Sequence, residues 1–327
     1  MEANEYYFQI DFLKGLAIIA VLILHILPPG WGNLPIVVLT LAQCVPIFFL
    51  LMGLNTSMSF KRKNLKTIRE LYSLNYFKKK FLRLLPSFFI VFILFLVLCL
   101  FKGTIIFDWK YLIGMFPHGT NWYTPGNYFI SAVFQFTLIF PLIYYLYKKY
   151  SLKSVLIASF IINILFEIIS RYTLFYEYSF LYSACLLRYL FIIVLGIYLM
   201  DNLNLEHVKD FLSNKFLIIG LFISLLFGLT IVFGWVLPLF PPVWTSSKIL
   251  LCFYPVLLCV LALRYLPKGE NNIISYLGRA SYHIFLLQIF IFCLYSFIKP
   301  FIPFYCVFFI PFLCLGLGYL FYLFEKS

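Results

Sequence analysis

Stretches of about twenty apolar residues follow one another through this chain with only short polar or proline-containing breaks, and that succession leaves few folds open. A hydrocarbon core about 30 Å thick is crossed by roughly twenty helical residues. Inside it every backbone N–H and C=O needs a partner within the protein, so such runs are helices. The runs cover residues 10–28, 36–58, 84–101, 128–147, 154–170, 180–200, 216–236, 247–266, 280–298 and 303–324. The expected architecture is an all-α, polytopic membrane bundle of about ten transmembrane helices, a single membrane-embedded domain over 1–327. Composition closes the argument: 64% hydrophobic and 11% charged residues do not describe a water-soluble domain. The acidic start MEANEYYF lacks the basic and small-residue signals of a cleaved export peptide, so none is expected.

Lysines and arginines set the orientation, because basic loops stay on the cytoplasmic side. With the first helix starting in the cytoplasm, nineteen of the 25 basic residues fall on cytoplasmic loops and helix ends, nine of them between Lys61 and Arg83. Both termini are therefore expected in the cytoplasm, with the chain multi-pass in the plasma (inner) membrane. The net charge of +13 is mostly this topological signal and calls for no nucleic-acid partner. The density of segment 61–83 exceeds what orientation requires and suits anionic lipid headgroups or a phosphorylated ligand.

Eight cysteines lie in or beside apolar runs with no CxxC pair and no His–Cys cluster, so neither a disulfide framework nor a metal site is expected. Glycine-rich nucleotide loops, HExxH and GxSxG are missing from the sequence.

An ionisable residue inside a membrane run marks a functional position, and His25 stands in the first one, IDFLKGLAIIAVLILHI, eleven residues after Lys14. At about 100° and 1.5 Å per residue, the two share a helix face about 16 Å apart. Lys14 is then a basic mouth and His25 a station deep in the membrane. Asp11 is placed to pair with Lys14 at i,i+3, and whatever orients His25 comes from another helix. A buried neutral imidazole suits general-base catalysis of acyl transfer, taking a hydroxyl proton and returning it to the leaving group. A histidine hydrogen-bonded to a neighbouring helix for packing is equally compatible with this position.

DFLKGLAIIAVLILH resembles the opening signature of the acyltransferase-3 family of integral membrane O-acyltransferases, in which an Asp, a basic residue and Gly precede a His on the first helix. The family's basic residue is usually Arg; Lys14 keeps the charge but not the bidentate fork. FFLLMGL resembles the family's FSGF-like element, with Met52 where Ser is usual and Gly53 retained. KKKFLRLLP resembles the basic motif that opens the third span, making Lys80, Arg83 and Pro86 its counterparts. GNYFISAVFQFTLIFPLI resembles a later helix, with Tyr128 for Trp and Val133–Phe134 where many relatives carry carboxylates. RYLFIIVLGIYL ends a sixth-span element at Gly196, LGRASYHIFLLQ resembles LGxxSYxIYLLH with Gln288 for His, and FEKS keeps Glu325 near the family's closing glutamate.

The resemblance implies an acyl-CoA-dependent O-acyltransferase moving an acyl group, acetyl by default, to a hydroxyl of a cell-surface glycan or lipid-linked sugar. It implies His25 as general base, with Lys14, Lys80 and Arg83 holding or steering the phosphates of acetyl-CoA or another short-chain acyl-CoA, and no metal. For Lys61 to Lys66, positive-inside retention alone is expected. His283 is read as a packed or interfacial residue. Glu167 and Arg188 are expected to pair across neighbouring spans. His118, Asn121, Trp122 and Tyr123 between the third and fourth spans suit sugar recognition or an interfacial aromatic belt. The competing class is a multispanning transporter or flippase with a His25, Glu167 and Arg188 relay; a third is a polyprenyl-linked glycosyltransferase or polymerase.

Overall fold

The computed structural model describes residues 7–28, 30–102, 128–202, 214–235, 248–266, 272–301 and 303–326. The segment carrying His118, Asn121, Trp122 and Tyr123 lies outside the described residues. Helices account for nearly all of the described chain, and no strand occurs among the described residues.

The first helix, α1 (Phe8–Ile26), runs without an interior proline and stops where Leu27 turns extended (ψ 140°) ahead of Pro28. That is the backbone a residue before proline adopts. A short helix over Pro35–Leu39 leads through a 3-10 turn into α2 (Cys44–Arg62), which ends on Lys61 and Arg62, cations placed favourably at the carbonyl end of the helix. After a capping box in which Thr67 and Glu70 exchange bonds, α3 (Leu74–Lys102) rises with Pro86 inside it. Next, α4 (Tyr128–Lys149) also carries an interior proline, Pro141. Neighbouring helices make such interruptions tolerable in membranes. Ser151 caps α5 (Leu152–Ser170) by accepting from the Ser154 N–H at 3.1 Å. After two short helices, Leu174–Glu177 and Ser179–Ala184, the longer helices that follow among the described residues are α6 (Leu190–Asn202), α7 (Lys215–Val232), α8 (Phe253–Tyr265), α9 (Ile273–Arg279), α10 (Ser281–Ile298) and α11 (Ile310–Lys326).

Eight of the helical segments among the described residues are long and apolar enough to cross a membrane. They correspond to eight of the ten runs. The other two, 180–200 and 247–266, are not continuous helices of spanning length. In the first, Cys185 is extended and a 3-10 turn over Leu186–Tyr189 precedes the 13 residues of α6. In the second, a 3-10 turn over Ile249–Leu251 precedes the 13 residues of α8. Apolarity alone does not reveal such breaks, because the interrupting residues are themselves largely apolar.

Two close helix pairs frame the bundle, and glycines permit both. A Cβ on Gly15 of α1 would stand 2.0 Å from the Ile274 carbonyl oxygen, and one on Gly278 of α9 would stand 1.8 Å from that of Asp11. Between α2 and α6, a Cβ on Gly53 would meet the Ile193 carbonyl at 2.3 Å, and one on Gly196 the Leu50 carbonyl at 2.4 Å. Small residues let membrane helices approach backbone to backbone. These four glycines are those of the quoted LKG, MGL, VLGIY and LGRAS elements, so the motifs mark crossings.

On α5, one face presents Ile157, Ile161 and Leu165 to the surroundings while Ser159, Asn163, Glu167 and Ser170 are buried on the other. A helix polar inward and apolar outward is suited to lipid and not to water. The carboxylate of Glu167 forms an ion pair at 3.1 Å with Lys248 and accepts from the Tyr182 hydroxyl at 2.6 Å; Lys248 also donates to that hydroxyl. Arg188 stacks over Tyr182 and Tyr189, its guanidinium carbon 4.6 and 5.3 Å from their ring centres. The ion-pair partner of Glu167 thus includes Lys248, from a segment 81 positions further along the chain.

Candidate active site

The ends of α2 and α4 and the starts of α1, α3 and α10 gather at the basic end of the bundle. There a cavity of about 540 Å³ is walled by five cationic residues, Lys14, Arg62, Arg83, Arg279 and Lys326, and by two carboxylates, Asp11 and Glu325. Both carboxylates are engaged. Asp11 holds Lys14 at 3.0 Å, the expected i,i+3 pair, and reaches Arg279 of α9 at 3.6 Å. Glu325 of α11 is bonded to Nε2 of His283 and accepts from the Ser87 hydroxyl. The wall that remains favours an anion, since a cleft lined by one sign of charge concentrates the opposite one.

A second chamber of about 160 Å³ adjoins the first, and Lys14, Asn55, Arg83 and Tyr282 border both. Lys80 lines this smaller chamber. Beyond the cations its walls become apolar, with Phe48, Leu51, Met52, Phe129, Val133 and Phe285. Phe129 anchors the inner wall, its ring centre 5.7 Å from Phe48 and 4.8 Å from Phe285. Phe48 is fourteen residues from the Arg62 end of α2, about 21 Å along the axis. Two departures from the family pattern, Met52 and Val133, stand on this wall and contribute to its apolar character.

Of the sequence-derived candidates, Lys14 and Arg83 therefore lie on the wall common to two adjoining chambers, and Lys80 lines the smaller one. His25 does not line either chamber. It sits half-buried in the last turn of α1, its ring edge-on to Phe292 at 5.7 Å. Phe292 is two turns beyond Phe285 on α10, so His25 stands about 10 Å past the inner wall. The structure thus separates a charged mouth, an apolar inner chamber and a histidine beyond it.

Three residues of this region were missed or read differently. Arg62 and Arg279 complete the basic wall. His283 is packed, between Phe321 and Tyr322 rings at 5.2 and 5.4 Å, but it is packed into the cavity wall with Nε2 also 3.2 Å from the Ser87 hydroxyl. Ser87, directly after Pro86 of the basic motif, and Glu325, at the closing position, were the available signals; only the fold brings them together on one imidazole.

No curated protein and no solved structure matches this chain. The family described as an acyltransferase domain matches residues 7–322, nearly the whole length. With the basic cavity, the helical membrane architecture and that match taken together, the chain belongs to the acyltransferase-3 family and is a membrane acyltransferase.

Proposed function

We propose that the protein is an acyl-CoA-dependent O-acyltransferase of the plasma (inner) membrane with both termini cytoplasmic. It moves a short acyl group, acetyl by default, to a hydroxyl of a cell-surface glycan or lipid-linked sugar. The observation that carries this reading is the pair of adjoining cavities at the basic end, which share Lys14, Asn55, Arg83 and Tyr282, one largely cationic and the other apolar at its depth. An acyl-CoA has the matching polarity: phosphates at one end, a thioester and its acyl group at the other. Arg83, Lys80 and Lys14 hold the phosphates through charge-assisted bonds, and the acyl end enters between Phe48, Val133 and Phe285.

His25 then serves the acceptor. Its imidazole takes the proton of the acceptor hydroxyl as that oxygen attacks the thioester carbonyl; collapse of the intermediate breaks the C–S bond, and the departing thiolate takes the proton from the imidazolium. The reaction needs no metal. Phe285 lines the inner chamber and Phe292, two turns on, packs against His25, so on this reading the thioester passes this stretch of α10 to react. A transporter or flippase relay through Glu167 draws less support, because that carboxylate is tied to Lys248 and Tyr182 in packed surroundings.

The test is CoA itself. Purified protein is expected to be stabilised against heat by CoA and to turn over acetyl-CoA in the presence of a glycan acceptor. Failure of both responses in protein that is folded and lipid-reconstituted overturns the reading.

A further inference from the structure

A separate cavity of about 390 Å³ opens at the basic end between the exits of α2 and α4 and is lined by Lys61, Lys66, Lys148 and Lys149 together with Tyr144 and Tyr145. It shares no lining residue with the donor chambers. Positive-inside retention explains why each loop is basic, but not why lysines from two loops far apart in sequence face one cleft.

Three of the four ammonium groups have a defined contact. Asp201, at the end of α6, pairs with Lys61 at 3.3 Å and accepts from the Tyr147 hydroxyl. Lys148 donates to the same hydroxyl at 3.2 Å and lies over the Tyr147 ring at 4.5 Å. Lys149 lies 5.4 Å over Tyr150. Four cations against Asp201 leave an excess of positive charge.

What the cleft takes is indicated by the helix beneath it. On α4 the exposed apolar residues Leu138 and Leu142 precede Tyr145 and Lys149 at offsets of four, seven and eleven, which is one continuous helix face. That face leads from bilayer-facing apolar side chains, through a tyrosine of the kind that sits at membrane interfaces, to a lysine of the cleft. A soluble anion has no use for the lower part of this track, whereas a lipid fits all of it.

We propose that the lysine cleft is a binding site for the phosphate-bearing headgroup of an anionic phospholipid, with the acyl chains lying along Leu138 and Leu142. The site is independent of the donor cavity and of the reaction assigned to it.

The test uses the full chain in a neutral detergent, with binding of phosphatidylglycerol and phosphatidylcholine read by native mass spectrometry. Phosphatidylglycerol is expected to be retained in preference to phosphatidylcholine. Replacing Lys61, Lys66, Lys148 and Lys149 by Gln is expected to weaken phosphatidylglycerol retention roughly tenfold or more. The Lys→Arg version of the same four keeps it, as does Lys→Gln at the exposed positions Lys78, Lys79, Lys153 and Lys215. Should the fourfold Gln variant fail to insert, the double change Lys66→Gln and Lys149→Gln carries the same expectation in smaller measure. Equal retention of the two lipids by the unaltered protein overturns the proposal. Full retention by the Gln variants does so too, and displacement by millimolar inorganic phosphate without lipid preference assigns the cleft to a soluble anion instead.

Discussion

The cavity at the basic end and the Glu167–Lys248 cluster are assembled from the same kinds of residue and treat them oppositely. At the basic end, Arg83 is exposed and, with four other cations, faces a space of about 540 Å³. Toward the other end, Lys248 and Arg188 are 1% and 2% exposed and are occupied by a carboxylate and tyrosine rings. A cation that faces a cavity can exchange its water for a ligand. One already packed against its counter-charge holds helices together, and its removal leaves an uncompensated buried charge. The cations of these two regions thus divide by surroundings into those that face open space, such as Arg83, and those that fasten helices, such as Lys248.

That division is open to attack from both sides. The largest effect is expected at His25: His25→Ala should lower acyl transfer by about a hundredfold to ten-thousandfold, while leaving the CoA-induced thermal shift intact. A variant that transfers at the normal rate removes the general-base role. Next comes Glu167→Leu, which strands Lys248 and should cost about 3–5 kcal/mol of stability, read as a lower melting temperature and poorer yield. The companion change Lys248→Met on top of it should restore most of the loss; if donor affinity falls instead of stability, the cluster is not a fastener. At the mouth, Arg83→Ala should weaken CoA binding by roughly tenfold or more, the worth of a hydrogen bond to a charged group, with little change in melting temperature. The smallest effect is expected for Lys14→Arg, which keeps both the charge and the Asp11 pair; CoA affinity should stay within about twofold. A severe loss there would mean that the ammonium itself occupies a fixed place.

The sequence made the class and the ends of the bundle legible for a physical reason: each apolar run answers to bilayer thickness alone, a local constraint. The same locality made the Asp11–Lys14 pair predictable, since i,i+3 geometry needs no tertiary information. Lys80 and Arg83 stand out through the resemblance of KKKFLRLLP to the family's basic motif, three positions apart on a single helix, and only the fold shows their convergence with Lys14. What stayed hidden depends on distant segments meeting. Lys248 reaches Glu167 from beyond α7, and Ser87, His283 and Glu325 come from three helices to one point. The break at Cys185 was hidden for another reason: an extended residue flanked by apolar neighbours leaves hydropathy unchanged.

The glycine crossings carry one more consequence. At the glycines where α1 meets α9 and α2 meets α6, carbonyl oxygens occupy the places that side chains would fill, so at these points neither pair has pliable atoms with which to slide or spread. The adaptable atoms at the chambers are instead the unbranched thioether side chains that face them, Met52 in the inner one and Met58 in the outer, and on the donor reading proposed above these are what would adjust to acyl groups of different bulk. Rigidity of the frame and plasticity of its lining are thus assigned to different residues, and a change in acyl-group preference is to be sought at the methionines before the helices.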